Sequence, residues 1–207
     1  GKISDVASKS GINKRNILSY RSSTNKGKER GFLAFEGALV PCAIMLKEYY
    51  KYIDSSINID KFILDSLKYW QGKMGYLITK DYAYRLKGKG IVNIFRGDNS
   101  NSGAYDLESK LVESGVVSCI IHEKKNFSHG RFINYENLNN SYSIYFKENN
   151  NSIYEDKLLN YLGDNTVVIK SRYTNLLAEF DLLVASQYVI YYLGKYWDID
   201  VSKPKYN

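Results

Sequence analysis

A carboxylate and an imidazole stand sixteen residues apart in the middle of this chain. Glu113 closes a helix-like segment, and His129 follows it in a short polar stretch. Ahead of the helix lies the small polar loop Gly97–Gly103, which carries the hydroxyls of Ser100 and Ser102. Free N–H groups at the start of a helix bind phosphate, and a carboxylate with an imidazole can move protons. These residue types predict proton transfer on a phosphorylated small molecule.

Alternating strands and helices are predicted to position these groups. The apolar run Ile91–Phe95 precedes the loop and is typical of a buried strand. Further strands are predicted over 116–121, 142–146 and 167–170, and helices over 104–113, 153–162 and 178–196. This order predicts an α/β fold of three layers, a mostly parallel, flavodoxin-like sheet with helices on both faces. Ligands of such sheets bind beyond the carboxyl ends of the strands, where the Gly97 loop would lie.

The first part of the chain has a different pattern. Residues 1–31 are polar and basic, and apolar positions at helical spacing predict long helices over 32–52 and 60–86. Gly72 and Gly75 are candidate break points within the second of these helices. The stretch Lys87–Gly90 is the strongest break signal, so we expect two lobes that span residues 1–87 and 88–207.

Composition places the chain among ordinary globular proteins. Its 207 residues are 44% apolar and 25% charged, and the net charge is +7. Residues 1–30 hold eight basic and two acidic side chains, and a basic end of this kind is typical of solvation, of an anionic substrate or of nucleic acid.

The cysteines and the apolar segments indicate the cellular location to expect. Cys42 and Cys119 lie far apart in apolar surroundings, so we expect reduced core residues and a cytoplasmic protein. No targeting signal is evident. The longest apolar stretch, Phe32–Leu46, is too short to span a membrane and is interrupted by Glu36 and Pro41.

The segment Ala104–Glu113 has Lys110 three residues before Glu113, and His129-Gly130 follows sixteen residues after Glu113. This pattern resembles the second half of the sugar isomerase (SIS) domain. It is most similar to the isomerase part of the glucosamine-6-phosphate synthase family. In that family the glutamate moves a proton between C1 and C2 of a sugar phosphate, and the histidine assists ring opening. The resemblance implies these roles for Glu113 and His129, without a metal or an organic cofactor.

Other segments extend the resemblance. The run 182–192 is similar to the family's last helix and implies a substrate-binding role for Gln187. Residues 198–205 are similar to the Asp-x-Asp-x-Pro-Arg that follows that helix. The run 6–11 resembles the family's phosphate loop and implies phosphate contacts for Ser8 and Ser10. Arg131 stands where the family often has proline, and it either grips a phosphate or carboxylate or is simply exposed.

Two departures from the family pattern stand out. About eighteen residues separate Gly11 from Arg30, which is too few for the usual strand–helix–strand unit, so the first lobe is expected to be incomplete. The lysine that the family's isomerases use lies beyond the position of Asn207.

Three functions follow as expectations. The first is an aldose–ketose sugar-phosphate isomerase that forms at least a homodimer, since the family's sites often borrow residues from a neighbouring subunit. The second is a binding, sensor or assembly protein that keeps the fold without catalysis. The third is a transcription regulator, because residues 3–17 have the spacing of a helix-turn-helix, although the stretch is too short to make a stable DNA-binding domain. For the isomerase, neither nucleic acid nor a membrane is expected as a partner.

Overall fold

The structure is a computed structural model that describes residues 36–88, 90–137 and 142–200. Three helices come first: α1 (Glu36–Ile53), α2 (Ile59–Leu77) and α3 (Lys80–Gly88). Strands and helices then alternate: β1 (Ile91–Arg96), α4 (Asn101–Glu113), β2 (Ser118–Glu123), α5 (Lys124–Asn126), a π-type turn (Phe127–Arg131), α6 (Phe132–Asn137), β3 (Ser143–Lys147), α7 (Ile153–Leu162), β4 (Thr166–Lys170) and α8 (Asn175–Trp197).

The four strands form one parallel sheet in the order β2-β1-β3-β4. Ile91 pairs with Ser118 at the amino edge of β1 and β2, and Arg96 pairs with Glu123 at their carboxyl edge. On the other side of β1, Arg96 pairs with Phe146 of β3. The chain winds outward from β1 to β2 and then returns past β1 to β3. The sheet therefore has a topological switch point between β1 and β3.

Helices cover both faces of the sheet. On one face Val92, Ile94 and Ile144 pack with α2, α3, α4 and α8 in the larger core. On the opposite face Phe95 and Tyr145 pack against Phe127, Leu158 and Leu162 in a smaller core. Such burial on both faces explains why these strands are apolar without alternation. The predicted three-layer α/β fold is confirmed.

The long helix α8 is the centre of the larger core. It is long and apolar enough to cross a membrane, but 67% of its most apolar stretch is buried inside the protein. Two polar anchors fix it: Trp70 Nε1 donates to Asp181 Oδ1 at 3.0 Å, and Trp197 Nε1 donates to the Ala83 carbonyl at 2.7 Å. Its apolar character is that of a core helix.

The helix predicted over 60–86 is two helices, and the break differs from the expected one. It falls at Ile78, whose φ of −94° and ψ of 89° are not helical. Thr79 Oγ1 then accepts from the N–H of Tyr82 at 3.2 Å and caps α3. Gly72 and Gly75 both stay inside α2.

The proposed lobe boundary at Lys87 stays a prediction. Among the described residues, side chains before and after Lys87 pack in the same core. Met74 and Leu86 precede this position, and Val92 and Leu193 follow it.

Gly103 permits the close approach of α4 to α8. A β-carbon there would lie 2.6 Å from the carbonyl oxygen of Leu182. We expect Gly103→Ala to lower the free energy of unfolding by about 1–2 kcal/mol, because the helices must separate. Gly72→Ala is the matched control: nothing lies within 4 Å of its added carbon. That control should raise stability by about 0.5–1 kcal/mol through helix propensity. Urea unfolding of both variants measures the difference, and equal effects would contradict the close-packing argument.

Candidate functional site

The crevice at the switch point lies between the carboxyl ends of β1 and β3. Ligands of open parallel sheets bind at this position. The loop predicted to hold an anion starts here with Gly97, whose N–H donates to the Phe146 carbonyl at 3.0 Å. The crevice is therefore where the predicted site would lie.

A buried carboxylate occupies the crevice beside Gly97. Glu155, in the first turn of α7, is fully buried. A β-carbon at Gly97 would lie 2.4 Å from Glu155 Oε1. Gly97 thus has a packing role, because any larger residue would push this carboxylate away.

Two lysines neutralise the buried carboxylate. Lys124 Nζ lies 3.3 Å from Glu155 Oε1, and Lys147 Nζ lies 3.6 Å from Oε2. Both lysines are themselves 5% exposed. Each also reaches an exposed carboxylate: Lys124 pairs with Asp98 at 2.5 Å and Lys147 with Asp156 at 3.0 Å. The network links the ends of β2 and β3 to the start of α7.

The charges in this network also affect its protonation. Burial opposes the charge of Lys124, but its hydrogen bonds and charge pairing with Asp98 and Glu155 outweigh burial and raise its pKa. Tyr145 donates its hydroxyl to Glu155 Oε1 at 3.2 Å. Burial, followed by the negative charge of Glu155, raises the pKa of Tyr145. Both groups therefore keep their protons at neutral pH.

The helix start predicted to hold a phosphate already binds a carboxylate of the chain. Glu179 of α8 accepts from the N–H of Asn101 at 3.2 Å and from the N–H of Ser102 at 2.8 Å. Ser100 is fully buried, and its hydroxyl donates to the Gly97 carbonyl at 3.0 Å. A phosphate here would have to displace Glu179, and the Ser100 hydroxyl is already bonded to the Gly97 carbonyl.

Glu148 has a similar role at the start of α8. Its Oε2 accepts from Asn99 Nδ2 at 2.9 Å and from the N–H of Asn175 at 3.1 Å. Carboxylates of the chain thus satisfy helix-start donors on both sides of the crevice.

Glu113 and His129 lie at opposite edges of the sheet within one chain. Glu113 comes just before β2, at the amino edge, and accepts from Ser109 Oγ at 2.7 Å. His129 follows the carboxyl end of β2 in a kinked turn where Gly130 has a φ of +117°. The length of β2 alone separates the two edges by roughly 16 Å. Glu113 and His129 therefore do not converge over one pocket inside a single chain.

Two more of the predicted residues make internal contacts. Arg131 donates from its guanidinium to the Ile121 carbonyl of β2 at 3.2 Å, although its side chain is exposed. Gln187 is buried and donates to Asp106 Oδ2 at 2.5 Å. Ser8 and Ser10 lie outside the described residues.

The charged residues that occupy the crevice were not predicted from the sequence. Ser152 and Glu155 have the spacing of a helix-capping pair, and Ser152 Oγ does accept from the N–H of Glu155 at 3.3 Å. That spacing gives no indication that the Glu155 carboxylate is buried. Glu179 lies near the start of an apolar helix and has no motif that would single it out. Within residues 36–88, 90–137 and 142–200 no group of three His, Cys, Asp or Glu side chains could hold a metal ion.

Comparisons with known proteins support the fold alone. The sequence matches no protein family and no curated protein. The structure is similar to a crystal structure from Salmonella typhimurium LT2 described as a candidate phosphosugar isomerase, with a TM-score of 0.55 and 10% sequence identity. The match covers 70% of this chain and 48% of that one, so the chain spans about half the length of this neighbour.

Proposed function

We propose that this protein binds a phosphorylated sugar and that a pair of chains interconverts its aldose and ketose forms. The fold likeness to a candidate phosphosugar isomerase carries the proposal. The order and spacing of Glu113, His129 and Gln187 support it independently of the fold. We also propose a cytoplasmic location, which the free thiols of Cys42 and Cys119 support.

The site is proposed to be shared between two copies, because Glu113 and His129 lie at opposite edges of one chain. In a symmetric pair, Glu113 of one copy would act as the proton carrier beside His129 of the other. Both side chains are exposed in the single chain and so are available to a second copy.

Mixing two inactive variants tests the shared site. Glu113→Gln and His129→Gln should each abolish isomerisation, because each removes one proton-transfer group from every site. After joint refolding, half of the pairs are mixed and each has one intact site, so roughly a quarter of the wild-type activity returns. Exchange of the sugar C1 and C2 protons, followed by NMR, measures it. Full inactivity of the mixture beside an active wild type would contradict a shared site.

A second candidate is sugar-phosphate binding without catalysis. The separation of Glu113 from His129 favours it, because a single chain then has no carboxylate–imidazole pair at one site. A thermal-shift series with sugar phosphates separates the candidates. Stabilisation of both wild type and Glu113→Gln without proton exchange supports binding alone, whereas the absence of any shift contradicts both functions.

A further inference from the structure

A cavity of about 300 Å³ lies between α1, α8 and the first turn of α4. Its apolar lining comes from Met45, Leu46 and Tyr49 of α1 and from Leu176, Phe180 and Leu183 of α8. Leu46, Phe180 and Leu183 are buried, whereas Met45, Tyr49 and Leu176 are exposed at the mouth. At about 30 Å³ for each water-sized group, the space holds a ligand of roughly ten non-hydrogen atoms. The cavity is partly open to solvent.

Glu179 is the charged side chain of this lining. Its oxygens accept from the N–H groups of Asn101 and Ser102 and, at 3.4 Å, from Asn101 Nδ2, which leaves one of the roughly four acceptor positions of a carboxylate for a ligand. The start of a helix supplies a positive charge of only about half a unit. The apolar cavity therefore keeps a net negative charge at the Glu179 end.

The negative charge at Glu179 determines which polar head group of a ligand the cavity binds. An anionic head would have to displace Glu179 from both N–H groups and would add a second negative charge. A neutral hydroxyl gains one ordinary hydrogen bond. An ammonium group can donate to the remaining acceptor position of Glu179, and the same lining holds the rings of Tyr49 and Phe180, which attract cations.

We propose that this cavity binds a small primary amine with an apolar body, its ammonium group on Glu179 and its body between α1 and α8. The site goes beyond the sugar-phosphate proposal and does not depend on it. Of the residues predicted for the sugar phosphate that the structure describes, Ser102 alone lines the cavity.

Three probes that differ in their head groups test the site in the full chain: 2-phenylethylamine, 2-phenylethanol and phenylacetate. The chain has two methionines, Met45 at the mouth and Met74 fully buried in the core. Labelling the methionine methyl groups with ¹³C therefore gives one NMR signal at the cavity and one internal reference. We expect the amine to shift the Met45 signal and leave Met74 in place. Calorimetry should show it binding at least tenfold more tightly than the alcohol and more tightly still than the acid.

Variants distinguish the contribution of the Glu179 charge to binding from that of the apolar cavity. Glu179→Gln should remove the preference for the amine over the alcohol, whereas Glu48→Gln, on α1 outside the lining, should keep it. Leu176→Trp at the mouth should weaken all three probes. The proposal is overturned if the alcohol or acid binds as tightly as the amine, if Glu179→Gln keeps the preference, or if no probe moves the Met45 signal. Because none of the probes carries a sugar or a phosphate, these outcomes leave the sugar-phosphate proposal as it stands.

Discussion

A Glu155→Ala variant should unfold with a free energy about 4 kcal/mol below that of the wild-type chain. Glu155 is fully buried between Lys124 and Lys147, which are almost buried themselves. Removing the carboxylate leaves two ammonium groups inside the protein with only their exposed partners, Asp98 and Asp156. A buried ammonium group that has lost its buried partner cannot recover its hydration, so the loss exceeds that of an ordinary surface ion pair.

Two further variants identify the cause of this loss. Glu155→Gln keeps the size of the side chain and removes its charge, so it should retain most of the destabilisation. Asp156→Ala removes a carboxylate whose side chain is 65% exposed, and it should cost less than about 1 kcal/mol. Urea unfolding at neutral pH measures all three. Equal losses for Glu155→Ala and Asp156→Ala would show that the buried network does not stabilise the crevice.

Mild acid should destabilise the protein through His122. This residue is 3% exposed, its Nε2 donates to Asn93 Oδ1 at 2.8 Å, and its ring stacks on Phe95. Burial, followed by the positive charge of Arg131, lowers the pKa of His122 from 6.5 to about 4. Between these values the unfolded chain binds the proton and the folded chain does not, so stability falls as the pH falls below 6.5. From pH 7.5 to pH 5 the loss is about 2 kcal/mol.

The two histidines of the chain provide a matched control. His122→Gln should remove about 2 kcal/mol of the pH dependence between pH 7.5 and pH 5, whereas His129→Gln, at an exposed position, should leave this component in place. Urea unfolding at both pH values measures it, and NMR titration of the ring protons follows each histidine directly. A His122 signal that titrates near 6.5 in the folded protein would contradict this account.

The pattern of apolar residues predicted most of the fold. All four strands lie within two residues of their predicted positions, and α7 has its predicted bounds, because burial on both faces leaves an unmistakable apolar run. The helical turns between Lys124 and Asn137 were not predicted, since their charged and polar residues have no apolar period. The break at Ile78 was also missed, because it depends on the cap that Thr79 gives to α3 rather than on a glycine.

The candidate site was much less predictable from the sequence. The motif order identified the Gly97 loop, and that loop does lie at the switch point. The motif could not indicate which side chain of the protein itself binds the N–H groups at the start of α4. Glu179 does so from a helix that is far away in sequence, and such a contact depends on how α8 packs beside α4. The opposite positions of Glu113 and His129 follow from the strand–helix–strand order itself, because a helix between two parallel strands ends at the amino edge of the sheet and the residues after the second strand lie at the carboxyl edge.

The central position of α8 has a consequence for synthesis on the ribosome. This helix covers the larger core and also anchors Trp70, yet it follows every other described helix and strand in the chain. Translation adds about 5–20 residues each second. The nascent chain therefore carries an uncovered apolar face for several seconds before Asn175–Trp197 can dock, and during that interval it is a natural client for chaperones.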